Sequence, residues 1–212
     1  MTGDLDLWHQ STDPGIRLFT SCRDRDWPMP IRAGDAVLEV GSCESDWLQR
    51  ASATWPETDF TGIDWREGAK VRGRVTRSHG DALLSDAFAP GSFDAIVSLS
   101  AIEHFGLGHY AHDPIDADGD IRIVENCWRW LRPGGWLYYD VPYNPHTFAV
   151  MEGTSYRTYT RAALAARLSP VEPCRELVAE SGDPRIVCDG WPTHQPDDRL
   201  RYYVARLFQK PA

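Results

Sequence analysis

The stretch from Ala36 to Ser45, Ala-Val-Leu-Glu-Val-Gly-Ser-Cys-Glu-Ser, constrains this chain most. A short apolar run, β-branched and leucine-rich and broken by one acid, predicts a parallel strand buried on both faces. Gly41 ends it, at a turn where the backbone must bend tightly and approach a ligand closely. Ser45 is placed to cap a helix on which Trp47, Leu48, Ala51 and Trp55 share one face. Strand, glycine turn and helix, in that order, form the unit at which doubly wound sheets bind nucleotides.

The turn is poorly made for a pyrophosphate, which wants G-x-G-x-x-G and an uncluttered helix N-terminus. Cys43 stands where the second glycine would be, and Glu44 adds negative charge beside the anion site. Both argue against NAD or FAD. S-adenosylmethionine has no phosphate and carries a sulfonium, an ammonium, a carboxylate and an adenosine. Glu39 suits the cationic groups, and the helix N-terminus suits the carboxylate.

A chain of 212 residues, 42% hydrophobic and 25% charged, has enough apolar matter for one globular domain. Its net charge of −9 disfavours a broad nucleic-acid footprint and an anionic membrane surface. The start carries Asp4 and Asp6 without an apolar stretch, so no signal peptide is read, and no run is long enough to span a bilayer. Five scattered cysteines without a C-x-x-C pair argue against a disulfide framework or zinc knuckle and suit the cytoplasm.

Residues 1–33 read as an N-terminal cap segment, 34–142 as the cofactor-binding core, and 143–212 as the acceptor side with the closing strands. Pro56 ends the first helix. Phe60–Asp64 reads as the second strand, its acid roughly 20 residues past the glycine turn, the offset at which a carboxylate takes ribose hydroxyls. Trp65 follows, suited to covering an adenine face. Arg66 to Gly73 predicts only a reduced helix. Val75 begins a short third strand that reaches His79-Gly80-Asp81-Ala82, which puts Asp81 at a strand end. Phe93–Ser98 is the fourth strand and leads into Ile102-Glu103-His104. An acidic loop then reaches a helix capped by Asp118 or Asp120, with Ile121, Val124, Trp128 and Leu131 on its apolar face. Pro133-Gly134-Gly135 stops that helix before the strand Trp136–Pro142. Thr160 caps a helix reaching Leu168, another helix runs from Pro173 to Ser181, and Ile186–Cys188 and Tyr202–Phe208 close the sheet.

Six segments occur in the order of one family: Leu38–Gly41, Gly62–Asp64, Gly80–Ala82, Phe93–Val97, Ile102–His104 and Leu131–Gly135. Over roughly Asp35 to Pro142 the chain resembles the class I S-adenosylmethionine-dependent methyltransferases. The stretch from Ile102 through Gly108, with Asp113 to Asp116, resembles bacterial small-molecule and sugar methyltransferases. The resemblance implies an α/β fold, a doubly wound and mostly parallel seven-stranded sheet with an antiparallel last strand. It implies S-adenosylmethionine along the C-terminal strand ends, beside Glu39, Gly41, Ser42, Asp64, Trp65, Asp81, Ala82 and Ser98.

His104 is the sharpest chemical candidate, because imidazole takes a proton near neutral pH and the residue follows the fourth strand. Glu103 either orients His104 or simply ends the helix. Asp113, Asp116, Asp118 and Asp120 either bind Mg²⁺ or cap and turn the chain, and capping is preferred, so no metal is expected. Tyr143, His146, Tyr156, Arg157 and Tyr159 either line an acceptor pocket or form a structural aromatic cluster. The function expected is methyl transfer to a small molecule, O-methylation of a sugar or secondary metabolite. The alternatives are a protein or peptide methyltransferase and an inactive cofactor-binding partner subunit. A homodimer is left open, and neither nucleic acid nor membrane is expected as a partner.

Overall fold

The computed structural model describes residues 30–43, 46–66, 73–108, 114–151, 156–180, 187–189 and 202–212. Its first strand, β1 (Ala36–Val40), is buried along almost its whole length. Val37 and Leu38 point into different apolar clusters, one on each side of the sheet, which is why the strand is apolar at consecutive positions. β1 pairs in parallel with β2 (Asp59–Asp64) and with β4 (Phe93–Leu99). β2 pairs with β3 (Val75–His79), and β4 with β5 (Leu131–Tyr143), again in parallel.

The last strand, β10 (Tyr202–Gln209), runs antiparallel to β5, with Tyr202 opposite Tyr143 and Gln209 opposite Trp136. On its other side lies β8 (Arg175–Glu180), and a three-residue strand β9 (Val187–Asp189) ends the sheet. The spatial order is β3-β2-β1-β4-β5-β10-β8-β9, eight strands where seven were expected, the added one being β8. Strand order reverses between β1 and β4, and ligands of doubly wound sheets bind outside that reversal, at the strand C-termini.

Helix α1 (Trp47–Thr54) lays Trp47, Leu48 and Ala51 on the sheet, where Trp47 meets Phe60 edge-on at 5.8 Å. The Ser45 cap and the reduced helix after Arg66 lie outside the described residues, apart from Arg66 and Gly73 at its ends. Helix α2 (Gly119–Trp130) buries Ile123, Val124, Cys127 and Trp130 on the opposite side. This face is rotated from the expected one: Ile121 and Trp128 are only partly buried. The helix also ends before the glycines, at Trp130, with Leu131 already extended. Arg132 precedes Pro133, a position that disfavours helical backbone, and its guanidinium is held by Asp94 at 2.7 Å. Helix α3 (Arg161–Arg167) starts as predicted, the Thr160 hydroxyl accepting the Ala163 N–H.

One expectation fails outright. The segment predicted as a helix over 173–181 is β8, since Leu177, Val178 and Ala179 are all buried and its backbone pairs with β10. Sheet pairing overrides a local preference that was weak. Between β5 and α3 a hairpin, β6 (Ala149–Met151) and β7 (Tyr156–Thr158), stands apart from the main sheet.

Candidate functional site

Gly41 follows β1 with φ +80°, and its N–H donates to the Ile63 carbonyl at 2.9 Å. A β-carbon here would collide with the Ala101 side chain, so glycine is required by space as well as by backbone. Arg77 reaches from β3 to the same loop, donating to the Ser42 carbonyl at 2.7 Å. Asp64, at the end of β2, ties the loop down. One carboxylate oxygen accepts the Cys43 N–H at 3.0 Å, and the other accepts the Arg66 N–H at 2.9 Å. The Arg66 guanidinium also donates to both oxygens, at 3.2 and 3.5 Å, so ligand hydroxyls would have to displace these long contacts.

The other predicted cofactor residues share this sheet edge. Glu39 is fully buried within β1. Trp65 is half-buried, and its indole N–H is shielded with no hydrogen-bond partner among the described residues. Asp81 uses one carboxylate oxygen to accept the Leu83 N–H at 2.8 Å, a turn-forming bond. Ala82 is buried, its carbonyl held by the Asn126 amide at 2.9 Å. The Ser98 hydroxyl is buried inside the sheet and donates to the Val40 carbonyl at 3.3 Å.

The chain leaving β4 forms the second half of the site. Among the described residues Ser100 is the non-glycine with positive φ, +47°. Its N–H donates to the Asp140 carboxylate at 3.0 Å, and its hydroxyl donates to Glu103 Oε1 at 2.8 Å. A 3₁₀ turn, Ile102–His104, then presents a buried Glu103 and a partly exposed His104. The imidazole Nε2 lies 3.9 Å from the same Glu103 oxygen, and the ring meets Tyr156 of β7 edge-on at 6.2 Å. Contact of Ala101 with Gly41 sets this turn against the glycine loop, so the two halves meet at one sheet end.

Arg157 and Tyr159, expected as pocket lining or structural cluster, prove structural. Arg157 is buried, and its guanidinium donates to the Phe105 carbonyl at 2.6 Å and the Ala117 carbonyl at 3.2 Å, fastening the hairpin to the loop before α2. Tyr159 donates to Asp120 at 3.0 Å. Burial, followed by the nearby Asp120 charge, raises the Tyr159 phenol well above its usual pKa. The Asp120 carboxylate also accepts from Arg167 at 2.7 Å and lies 3.8 Å from Arg157. Asp118 holds the cap position of α2, but its side chain caps nothing. The capping expected of Asp118 and Asp120 is thus replaced by pairing with Arg167, because two buried or half-buried guanidiniums need a counter-charge. Asp116 accepts the Asp118 N–H at 3.0 Å, and Asp113 lies outside the described residues. Among the described residues no cluster of His, Cys, Asp and Glu could hold a metal ion.

Reading the residues singly missed Asp140 as a site residue, although a lone acid in the apolar run from Trp136 to Val141 was a visible signal. The positive φ of Ser100 leaves no mark in the sequence.

Solved structures share this architecture. The 1,6-didemethyltoxoflavin-N1-methyltransferase of Burkholderia thailandensis, solved with 1,6-didemethyltoxoflavin and S-adenosylhomocysteine, superimposes with TM-score 0.61 at 15% identity, covering 98% of this chain and 82% of that one. The chain has the class I methyltransferase fold. The arsenic(III) S-adenosylmethionine methyltransferase of Chlamydomonas reinhardtii gives TM-score 0.56 at 18% identity, over 87% of this chain and 68% of that one. The [4+2]-cyclase SpnF gives 0.57 at 15%, over 86% and 77%. Residues 85–180 match the family described as "Caenorhabditis protein of unknown function, DUF268". No curated protein matches the chain. The matched residues begin six past the end of β3, end with β8 and include the Glu103–His104 turn. Among the described residues no helix is long and apolar enough to cross a membrane.

Proposed function

We propose that this chain is an S-adenosylmethionine-dependent methyltransferase of the cytoplasm, acting on a small molecule by O-methylation of a sugar or secondary metabolite. One observation carries the reading. The bare backbone at Gly41 sits against Ala101, which joins a nucleoside-type glycine loop to a turn bearing a histidine and a carboxylate.

The residues present fit S-adenosylmethionine. Gly41 lets the glycine loop close against Ala101, and the buried Trp65 N–H, with no hydrogen-bond partner among the described residues, is a donor a ligand could take. Glu39, Gly41 and Ser42 would hold the amino-acid end, with Ser98 beside it, Asp64 the ribose, and Trp65, Asp81 and Ala82 the adenine. When bound, the cofactor supplies an electrophilic methyl group on a sulfonium. The chain then has to align an acceptor and remove its proton. His104 takes the proton from the acceptor hydroxyl, and Glu103 steadies the imidazolium that results. Tyr156, at the ring edge of His104, forms part of the acceptor side.

The neighbour from Burkholderia is a 1,6-didemethyltoxoflavin-N1-methyltransferase, in keeping with a small-molecule acceptor here. SpnF carries a cyclase activity on a similar fold, so the decisive assay must follow the methyl group itself. Calorimetry with S-adenosylhomocysteine is expected to show binding that NADH does not compete away. Panels of sugars and hydroxylated metabolites with labelled S-adenosylmethionine are then expected to yield a methylated product. NADH binding without any response to S-adenosylhomocysteine would overturn the proposal.

A further inference from the structure

We propose that Ser100 and Asp140 are positioning residues for the Glu103–His104 pair: Asp140 holds Ser100 in left-handed backbone, and the Ser100 hydroxyl holds the Glu103 carboxylate beside the imidazole. The use of that pair in catalysis rests on the methyl-transfer reading; the pair itself is testable without cofactor or acceptor.

Positive φ in a serine costs conformational energy and persists only where the surroundings enforce it. Here the enforcing group is identifiable. Asp140 is fully buried in β5, in register with Leu99 on one side and Ala205 on the other. Neither neighbour needs an acid, and burying a carboxylate is costly unless it receives hydrogen bonds. One of its oxygens takes the Ser100 N–H at 3.0 Å. With the backbone so fixed, the Ser100 side chain turns back over the 3₁₀ turn to Glu103 Oε1 at 2.8 Å. That is the oxygen 3.9 Å from His104 Nε2. Around the ring stand Tyr156 from β7 and, at the carbonyls of Glu103 and Phe105, the buried Arg157 guanidinium. Arg157 is engaged with backbone and Asp120, and the Glu103 carboxylate faces the imidazole. A glycine at position 100 would suit the backbone better; the serine is explained by its hydroxyl.

The test is a pH titration of the histidine Cε1–H resonances of the full chain, with His104 assigned by its loss in His104→Ala. Glu103→Gln is expected to lower the His104 midpoint by about one pH unit, since the facing negative charge is gone. Ser100→Gly removes the hydroxyl but accepts the backbone. It is expected to lower the midpoint in the same direction by at least half as much, with some loss of melting temperature as the buried Glu103 carboxylate loses this donor. Asp140→Asn keeps an acceptor oxygen and is expected to leave the midpoint near the wild type. An unmoved midpoint in Ser100→Gly overturns the proposal, because the serine is then only structural. Calorimetry with S-adenosylhomocysteine on the same proteins separates the two claims. Binding with an unmoved midpoint removes the positioning role alone, whereas a shifted midpoint without binding removes only the methyltransferase reading.

Discussion

Tyr159 and Asp120 meet in the interior, the phenol donating to the carboxylate at 3.0 Å, and through this bond the hairpin, α2 and α3 share one buried charge. Asp120 answers two guanidiniums, one of them almost wholly buried. Replacing Asp120 with Ala leaves Arg157 uncompensated. A loss of about 3–5 kcal/mol is expected in urea unfolding, the range for breaking a buried pair from one side. A loss under about 1 kcal/mol, as for a surface pair, would count against this account.

Alkali should destabilise the fold more steeply than the ionisable surface requires. Burial raises the Cys127 thiol and the Tyr139 and Tyr159 phenols above their ordinary values. A raised folded-state value means that the folded protein holds its proton more tightly than the unfolded chain. The stabilisation is therefore complete below the unfolded values, about 8.5 for cysteine and 10 for tyrosine, and is lost as pH climbs toward the folded ones. Each group contributes about a tenfold change in the folding equilibrium per pH unit in that window. Urea midpoints measured across alkaline pH should fall accordingly. Tyr139→Phe should be less stable near neutrality, having lost the bond to the Leu168 carbonyl at 2.7 Å, yet show the shallower alkaline slope. An unchanged slope would speak against the buried phenol.

Asp64 serves the loop and, under the proposed function, the ribose. Asp64→Ala should weaken S-adenosylhomocysteine binding by about 1–3 kcal/mol in calorimetry, the cost of stranding polar partners. Asp64→Asn retains one acceptor oxygen for the Cys43 N–H and should lose less. Equal binding in both variants would make Asp64 a turn residue only.

His104→Ala should lower turnover about 10²–10⁴-fold once an acceptor is in hand, the usual worth of a general base, with S-adenosylhomocysteine affinity nearly unchanged. The wild-type rate should fall toward acid pH as the imidazole takes a proton, and the variant should lack that limb. Near-normal turnover in the variant would leave proximity alone as the source of rate. Loss of cofactor binding would instead give His104 a structural part.

The core strands and their ends were legible because their signals are local. Val37, Leu38 and Val40 are apolar at consecutive positions since both sheet faces are covered, and Gly41, Asp64 and Asp81 punctuate strand ends. That a carboxylate follows β2 at the right offset needs only chain counting. Long-range pairing decided the rest. Arg175–Glu180 is a strand because β10 offers it a backbone ladder, a partner nearly thirty residues away that no local window contains. Likewise, Asp120 looked like a helix cap because only its own helix was in view; Arg157 and Arg167 come to it from beyond β5. The clamp of Ser100 between Asp140 and Glu103 joins a local turn to a residue forty positions on. Sequence therefore determined which residues stand at the strand ends, since periodicity and glycine turns act over a few residues. The protonation partners, the buried charges and the strained serine were set by tertiary structure, because burial and hydrogen bonding depend on what the rest of the chain brings alongside.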